Sequence, residues 1–356
     1  MKAQVLSFLC SVFFVGCASK EIKPDPNALT VMTYNVENLF DTLDDPNKND
    51  ETYLPIEKKQ TSQHRMKCQA AGKPHWIREC LKKDWSEVKL ERKMGRLADV
   101  IKQIKKGQGP DLLILQEVEN LNVLERLRQN HLAGLGYQEA ILVEGPDERG
   151  IDVAILSKLP LSQKPILHEI DLMPAAKEVG RKKTRPTRGI LQARFELPNK
   201  KMLTVFGVHF PSQGSPTPYR RVAVKKLLEL KKSLPQNELA LAAGDFNITA
   251  KEDGKEGLFH KELAQEWLIS HQMGCDQCQG THSYRGSWSF LDAILFSKNF
   301  KYGPWVVNPK SIRLANKSLY QLNHFGGPAR FREGTAQKGV SDHFPLAADI
   351  YPSEVR

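Results

Sequence analysis

Apolar segments of strand length recur along the whole chain, and this pattern restricts the possible folds more than any other feature of the sequence. Eight segments suit buried or half-buried strands: residues 29–36, 112–116, 151–156, 191–197, 203–209, 239–243, 290–296 and 344–350. Helical periodicity appears between them at residues 94–104 and, after Pro218, at residues 227–234. Several strands follow one another without a helix between them, so a simple doubly wound sheet is not required. The sequence predicts an α/β (α+β) four-layer sandwich, with two packed mixed β-sheets flanked by helices.

A single folded domain is expected from residue 29 to residue 352, because no break in composition marks a second one. Residues 44–80 are polar and show no clear periodicity, which predicts an irregular insertion after the first strand. Residues 213–218 and 313–338 are predicted to be loops, and the second of them is long and basic. Residues 18–28 are polar and contain two prolines, as in a short tether.

The first residues predict export. Lys2 precedes an apolar segment at residues 5–16, which is too short to span a bilayer and is typical of a secretory signal peptide. Phe14-Val15-Gly16-Cys17 resembles the processing site of bacterial lipoproteins. We therefore expect residues 1–17 to be a lipoprotein signal peptide with Cys17 acylated, and the protein to lie at the outer membrane, in the periplasm or on the cell surface. An uncleaved signal peptide or short membrane anchor is the alternative.

The remaining cysteines fit an oxidising compartment. Apart from Cys10 in the leader and the acylated cysteine, four are left, namely Cys68, Cys80, Cys275 and Cys278. An even number outside the cytosol suggests disulfides, and three pairings are possible. Pairing each cysteine with its nearest neighbour in sequence is the most local choice. A zinc site built from the two pairs is the alternative, although the spacing of the first pair is long for zinc.

Net charge restricts the partners. The formal charge of +11 favours polyanions, which include nucleic acid, anionic lipid headgroups and phosphorylated small molecules. A solvated basic surface would give the same number, so charge alone does not decide between these partners.

Polar groups stand at or near the ends of most of the predicted strands: Asn35, Glu37, Glu117, His209, Asp245, Asn247, Asp342 and His343. Each has an ordinary explanation by itself, such as a solvated strand end or a turn that favours Asp and Asn. Asp292 differs, because it lies within an apolar strand and an unpaired buried acid is costly. A histidine is its simplest partner. Together these side chains offer hard oxygen ligands and two imidazoles, which suits Mg²⁺ better than zinc or copper, with Mn²⁺ or Ca²⁺ as substitutes.

The order of these motifs resembles that of the endonuclease/exonuclease/phosphatase superfamily, which has the deoxyribonuclease-I-like fold. The resemblance rests on residues 33–39 (Thr-Tyr-Asn-Val-Glu-Asn-Leu), 115–118 (Leu-Gln-Glu-Val), 243–247 (Ala-Gly-Asp-Phe-Asn) and 341–345 (Ser-Asp-His-Phe-Pro), and it runs from about residue 29 to residue 350. Residues 149–154 and 280–284, with Trp288 after them, are similar to the bacterial extracellular-nuclease branch.

The resemblance implies two groups of metal and substrate ligands. Glu117 would be the principal metal ligand, with Asn35 and Asp342 close by, and Glu37 is a weaker candidate. Arg149 and Arg188 would bind the phosphates that flank the scissile bond.

It also implies the catalytic roles. Asp245 would orient or deprotonate the attacking water, and Asn247 would hold a phosphate oxygen. His343 would contact the scissile phosphate, with Asp292 accepting a hydrogen bond from its other ring nitrogen. His209 would act as general acid for the leaving oxygen.

The implied function is that of a Mg²⁺-dependent phosphodiesterase, most simply a monomeric secreted or surface nuclease that cuts DNA or RNA by metal-assisted attack of water. A phospholipid phosphodiesterase similar to sphingomyelinases, or a phosphatase, is the alternative on the same scaffold. The sequence shows no exposed aromatic hairpin of the kind that would enter lipid, which disfavours the first of these. A third hypothesis is a lipoprotein without catalytic activity that uses the scaffold to bind a partner.

Overall fold

The structure is a computed structural model that describes residues 27–332 and 339–353. Its strands are β1 (Leu29–Leu39), β2 (Leu112–Val118), β3 (Ile141–Leu142), β4 (Asp152–Ser157), β5 (Ile166–His168), β6 (Ile190–Glu196), β7 (Met202–His209), β8 (Leu239–Asp245), β9 (Trp267–Ile269), β10 (His282–Tyr284), β11 (Ser287–Ser289), β12 (Asp292–Ser297), β13 (Trp305–Val307), β14 (Arg313–Leu314) and β15 (Leu346–Pro352).

The α-helices are α1 (Ser62–Gln69), α2 (Pro74–Lys82), α3 (Glu87–Ile101), α4 (Leu121–Arg126), α5 (Met173–Glu178), α6 (Thr217–Ser233), α7 (Ala250–Glu256) and α8 (Ser270–Met273). Short 3-10 or π turns occur at Glu51–Tyr53, Ile56–Gln60, Ile104–Gly107, Leu127–His131, Leu258–Glu262, Leu263–Gln265, Lys298–Lys301, Pro309–Ser311 and Leu319–Gln321. Within the described residues, no helix has both the length and the apolar character that crossing a membrane requires. The expected signal peptide, Cys17 and nearly all of the tether lie outside the described residues.

Two mixed sheets form the centre of the fold. The first has seven strands in the order β13-β15-β1-β2-β4-β3, with β14 also paired to β15, and the second has six in the order β5-β6-β7-β8-β12-β9. Neighbours are antiparallel except for the parallel pairs β1–β2 and β7–β8. A parallel pair needs a crossover connection, and the longest helices, α3 and α6, lie in these two connections.

Period-two alternation along the strands explains why the sheets pack as they do. Leu112 and Ile114 of β2 enter a core shared with the second sheet, whereas Leu113 and Leu115 enter a core shared with α3. On β8, Leu241 faces the first sheet, and its neighbours Ala240 and Ala242 face α6. Because both faces of the central strands are covered, their sequences are continuously apolar. The layers are helix, sheet, sheet and helix, so the predicted four-layer sandwich is confirmed.

All eight predicted strands are present with small shifts at their ends. The strand predicted to begin at Phe290 begins at Asp292, and the one predicted to begin at Phe344 begins at Leu346. The strands missing from the prediction have two or three residues each, too few for a periodic pattern.

The prediction of an irregular segment at residues 44–80 was wrong about its secondary structure, because it contains α1 and most of α2. Helix α1 has almost no apolar face, so periodicity could not reveal it. Similarly, residues 313–338 are not wholly a loop, since β14 and the turn at Leu319–Gln321 lie within them.

The disulfides follow the most local pairing. Cys68 bonds to Cys80, and Cys275 bonds to Cys278. Bonded sulfurs are not thiolates, so the alternative zinc site is excluded as long as both bonds are intact.

Gly244 is required at the end of β8. Its φ is +153°, and a Cβ added there would lie 1.9 Å from the carbonyl oxygen of Val208 on β7. We expect Gly244→Ala to lower the free energy of unfolding by at least about 3 kcal/mol, because the backbone of β7 cannot yield without displacing the sheet. Gly254→Ala is the matched control, since its Cβ would meet nothing within 4 Å in α7, and it should be neutral or slightly stabilising. Urea denaturation of both variants tests this, and equal stability would refute it.

Candidate catalytic site

Strand register brings three predicted residues together at one edge of the second sheet. His209 at the end of β7 pairs with Asp245 at the end of the parallel β8. Asp245 in turn pairs with Asp292, the first residue of the antiparallel β12. All three are almost fully buried. The site therefore begins as a row across three adjacent strands.

The first sheet contributes Asn35 and Glu117 from the parallel strands β1 and β2. Glu117 is an extra residue in β2 relative to β4, whereas β1 has three residues, 36–38, opposite it, so both ladders are interrupted at that point. Its φ is +65°, and Glu37 and Asn38 of β1 also have positive φ. Three non-glycine residues in this strained region within one bulge indicate a functional constraint on the backbone.

Asn35 connects the two sheets. Its side-chain Nδ2 donates to Oδ2 of Asp245 at 3.1 Å and to Oε1 of Glu117 at 3.4 Å. Its carbonyl oxygen accepts the hydroxyl of Ser341 at 2.6 Å, which fixes the loop that carries Asp342 and His343. The predicted site residues of both sheets thus meet around this amide.

Asp292 and His343 form the buried pair that the sequence led us to expect. Nδ1 of His343 lies 2.6 Å from Oδ2 of Asp292. Burial by itself lowers the pKa of His343, but the carboxylates of Asp292, Asp245 and Asp342 outweigh it and hold this pKa well above its ordinary value. His343 is therefore a cation at neutral pH, with its second ring nitrogen left for another partner.

The pKa values of Asp245 and His209 are shifted toward the neutral forms of these side chains, whereas that of His343 is shifted toward its charged form. Burial raises the pKa of Asp245 to about 7, although the cationic His343 offsets part of the rise. Burial also lowers the pKa of His209 far below its usual value, and the cations Arg188, Arg149 and His343 lower it further. His209 is thus neutral, with Nε2 3.6 Å from Oδ2 of Asp245 and no hydrogen-bond partner for Nδ1 among the described residues.

Asn247 lies in a turn beyond the end of β8. β8 ends at Asp245, and Asn247 has a φ of +52° in a turn closed by its backbone N–H, which donates to Oδ1 of Asp245 at 2.8 Å. Its Nδ2 donates to the carbonyl oxygen of Phe210 at 3.1 Å. Turns of this kind are typical of Asp and Asn.

The carboxylates of Glu37, Glu117 and Asp342 form a cluster that can bind a cation. Arg330 lies among them, with Nη1 2.9 Å from Oε1 of Glu37 and Nη2 2.6 Å from Oδ2 of Asp342, and the charge of Glu117 helps to raise its pKa. A cluster that already attracts a guanidinium and consists of oxygen donors has the chemistry that Mg²⁺ prefers.

The hydrogen bonds within this cluster determine which of the predicted ligands could bind a metal ion without rearrangement. Glu117 accepts from the backbone N–H of Asn38 at 3.1 Å, which leaves lone pairs on both of its oxygens. Asn35 turns its NH₂ group toward Glu117, and its Oδ1 accepts the N–H of Glu37 at 3.0 Å. Direct ligation by Asn35 would require the amide to rotate, and ligation by Asp342 would require Arg330 to move.

The two predicted phosphate-binding arginines lie on the His209 side. Arg149 donates to Oδ1 of Asn38, and Arg188 donates to Oδ2 of Asp147 at 3.3 Å and to the carbonyl oxygen of Phe210 at 3.1 Å. Both guanidinium groups lower the pKa of His209, so their charges act at the part of the site that contains His209. Nε of Arg188 is buried and has no partner among the residues described.

Sequence reasoning missed Arg330, His282 and Lys93. Arg330 lies in a loop without a motif, so nothing in the sequence pointed to it. His282 was within the recognised segment 280–284, and its ring centroid lies 4.9 Å from that of His343. Lys93 is fully buried in α3 and donates to the carbonyl oxygens of Glu37 and Val340, at 3.1 and 2.6 Å. Lys93 directly precedes the helical periodicity predicted at residues 94–104, so no sequence pattern indicated that it would be buried.

The sequence-based view that no aromatic hairpin is exposed was also wrong. Strands β10 and β11 form a short hairpin, and Tyr284 at its end is 64% exposed. Leu319 and Phe325, in the segment that leads to Arg330, are exposed as well.

The charges of this site predict how the free energy of unfolding of the metal-free protein depends on pH. Asp245 and Glu37 both have a pKa raised to about 7, chiefly by burial, so their protonation favours the folded state and their ionisation removes stability. The raised pKa of His343 acts in the same direction, because its stabilising charge is lost as the pH rises. In chelator, the free energy of unfolding should therefore fall between about pH 6.5 and 8, and Mg²⁺ should restore more of it at the upper value. Denaturant titrations at both pH values measure this, and a stability that rises with pH would contradict it.

Comparison with known proteins agrees with this geometry. The family model described as "Endonuclease/Exonuclease/phosphatase family" matches residues 30–72 and 75–351. No curated protein gives a significant sequence match.

Solved structures share the fold at low sequence identity. An endonuclease/exonuclease/phosphatase protein from Beutenbergia cavernae has 15% identity and a TM-score of 0.56, with 92% of this chain and 72% of that chain covered. A functionally unknown conserved protein from Enterococcus faecalis has 16% identity and a TM-score of 0.54, with coverage of 91% and 100%. TDP2 from D. rerio, solved with a single-strand DNA product, has 15% identity and a TM-score of 0.51, with coverage of 91% and 98%.

Proposed function

Because this chain belongs to the endonuclease/exonuclease/phosphatase family, whose members are usually hydrolases of phosphodiester bonds, we propose that it is a Mg²⁺-dependent nuclease. The observation that carries the proposal is the meeting of the Asp292–His343 pair with Asp245, where one ligand atom of each residue lies within 4.8 Å of the others. This arrangement combines a fixed cation with a carboxylate whose pKa of about 7 suits a general base.

The side chains would divide the reaction among them. Asp245 would accept a proton from the attacking water, since its pKa lies near neutral pH. The free ring nitrogen of cationic His343 would donate to a phosphate oxygen, and Asp292 would keep that ring oriented. A divalent cation held by Glu117, with Asn35 or Asp342 after rearrangement, would neutralise charge on the phosphate.

Asn247 and His209 would also take part in the reaction. Asn247 would hold a phosphate oxygen once its amide leaves Phe210. His209 is neutral, so in the free protein it can donate one N–H to the leaving oxygen but cannot act as a cationic acid. An anionic substrate beside Arg149 and Arg188 would raise its pKa and restore that possibility.

Three features favour nucleic acid as the substrate. The net charge is +11. Phe344, the residue after His343, lines a cleft of about 1110 Å³ together with Trp288 and Lys310, so a base could stack beside a cationic group. In addition, the structure of TDP2 from D. rerio contains a single-strand DNA product.

Salt should weaken binding if the phosphate backbone is the main contact. A protein that neutralises two or three phosphates would lose roughly 10–40-fold in affinity between about 50 and 200 mM salt. KM for DNA or RNA should rise accordingly while kcat changes little. A KM that does not depend on salt would speak against a polyanionic substrate.

A phospholipid phosphodiesterase remains the second candidate, because Tyr284, Leu319 and Phe325 are exposed. Such side chains could enter the interface of a lipid bilayer. A panel of plasmid DNA, RNA, sphingomyelin vesicles and a small diester, each with Mg²⁺ or chelator, separates the candidates. We expect Mg²⁺-dependent cleavage of nucleic acid that Asp245→Asn abolishes. Hydrolysis of sphingomyelin alone would favour the second candidate, and no hydrolysis with Mg²⁺, Mn²⁺ or Ca²⁺ would refute both.

Export and lipid anchoring complete the proposal. The signal-peptide pattern and two disulfides support an oxidising compartment. Radiolabelled palmitate should label the wild-type protein but not Cys17→Ala, and equal labelling would remove the anchor from the proposal.

A further inference from the structure

A second cluster of carboxylates lies outside the catalytic site. Asp45 and Asp50 belong to the loop after β1, and Glu119 directly follows β2. One oxygen of each lies within 4.8 Å of the other two. Asp50 is 1% exposed and Glu119 is 2% exposed, so water solvates neither of them well.

The hydrogen bonds of this cluster leave two buried oxygens without a partner. Oδ2 of Asp50 accepts the backbone N–H of Asp45 at 2.8 Å, and Oε2 of Glu119 accepts that of Asp41 at 2.6 Å. Oδ1 of Asp50 and Oε1 of Glu119 have no hydrogen-bond partner within the described part of the chain. A buried carboxylate oxygen left in this way needs a ligand that protein donors do not supply.

Negative charge is concentrated at this point, because Nδ2 of Asn120 lies 3.2 Å from carboxylate oxygens of Asp41 and Asp45 and 3.3 Å from one of Glu119. The nearby Lys67 pairs with Asp44 at 3.2 Å and Glu51 at 2.8 Å. Several buried carboxylates without a cation repel one another strongly, and a bound metal ion removes that cost.

The geometry fits one class of ion. The donors are carboxylates, without the sulfur or imidazole that zinc prefers. Ca²⁺ binds oxygen ligands at about 2.3–2.6 Å and accepts irregular loops, whereas Mg²⁺ demands a stricter octahedron. Oxygens within 4.8 Å of one another can surround a centre at the Ca²⁺ distance.

We propose that Asp45, Asp50 and Glu119 bind one Ca²⁺ ion, which fastens the loop after β1 to the end of β2. Asn120 holds the ligands in place, since its Nδ2 lies 3.2 Å from Oδ2 of Asp45 and 3.3 Å from Oε2 of Glu119. Glu119 lies two residues after Glu117, so the ion also steadies the strand end that carries the catalytic carboxylate. The site does not depend on the proposed hydrolase activity.

Calcium binding by the purified full chain tests this inference. Glu117→Gln serves as the background, because it removes the principal metal ligand proposed for the catalytic site. Titration calorimetry should give one Ca²⁺ per chain, and a 100-fold excess over Kd should raise Tm by about 4 °C. Adding Asp50→Asn and Glu119→Gln should abolish both effects while the metal-free Tm stays the same or rises, since carboxylate repulsion is relieved.

The control is Glu57→Gln in the same background, which removes an exposed carboxylate of the segment between β1 and α1 and should leave binding unchanged. Should Asp50→Asn with Glu119→Gln fail to fold, Asp45→Asn gives the answer, because this half-buried loop residue can lose its charge with little disturbance. Unchanged Ca²⁺ binding in the ligand variants, or no binding in the Glu117→Gln background, would overturn the proposal.

Discussion

Replacing His343 by alanine should reduce kcat on a phosphodiester substrate by roughly 10³-fold or more, with the fold intact. Its imidazolium is held by the fully buried carboxylate of Asp292, through a 2.6 Å contact. Removing it leaves the charge of the phosphate without a fixed donor. Steady-state kinetics on the nucleic acid that the wild type cleaves, with a thermal melt of the variant, measures both parts of the prediction.

Asp292→Asn tests whether Asp292 acts on His343 by orienting its ring or by keeping the ring charged. The amide can still contact the ring, but the carboxylate that raises the pKa of His343 is gone. Because activity requires the cation, it should decline at a lower pH in Asp292→Asn than in the wild type. His260→Ala is the inert control, since His260 is exposed and pairs with Asp253 at the surface. A wild-type pH profile in Asp292→Asn, or an active folded His343→Ala protein, would end this assignment.

The sequence was informative wherever a residue's place follows from strand register. Asp292 could be expected to have a histidine partner because a lone acid cannot be buried among apolar side chains. His209 and Asp245 end parallel neighbours, so their meeting follows once β7 and β8 are correctly identified. These arguments need only periodicity and the cost of buried charge.

Other parts of the site depend on contacts that no local pattern encodes. Arg330 reaches Glu37 across a sequence separation of 293 residues, from a loop without periodicity. The positive φ of Glu117 arises from a bulge whose register depends on both neighbouring strands. The orientation of Asn35 is set by Glu37 and Asp245 together, so a role as ligand or as donor could not be chosen from the sequence.

Glu117→Gln should affect the metal requirement more than any other single carboxylate substitution at the site. Among the described residues, Glu117 accepts hydrogen bonds from an amide and one backbone N–H, whereas Glu37 is engaged by Arg330 and by the N–H of Phe331 at 3.1 Å. A cation therefore meets less competition at Glu117. We expect kcat at saturating Mg²⁺ to fall by roughly 10²–10³-fold and the Mg²⁺ concentration for half-maximal rate to rise at least about tenfold.

Glu37→Gln is the matched comparison, because it makes the same chemical change two residues from Asn35 on the neighbouring strand. This substitution removes a carboxylate whose pKa is already raised to about 7 by burial, so the change in rate should stay within roughly tenfold. Mg²⁺ titrations of the rate for both variants and the wild type, at one pH and one salt concentration, distinguish the two carboxylates. If Glu37→Gln impaired the Mg²⁺ response as severely as Glu117→Gln, the cation would have to lie between them, where Arg330 now is, and the guanidinium would have to leave before catalysis could begin.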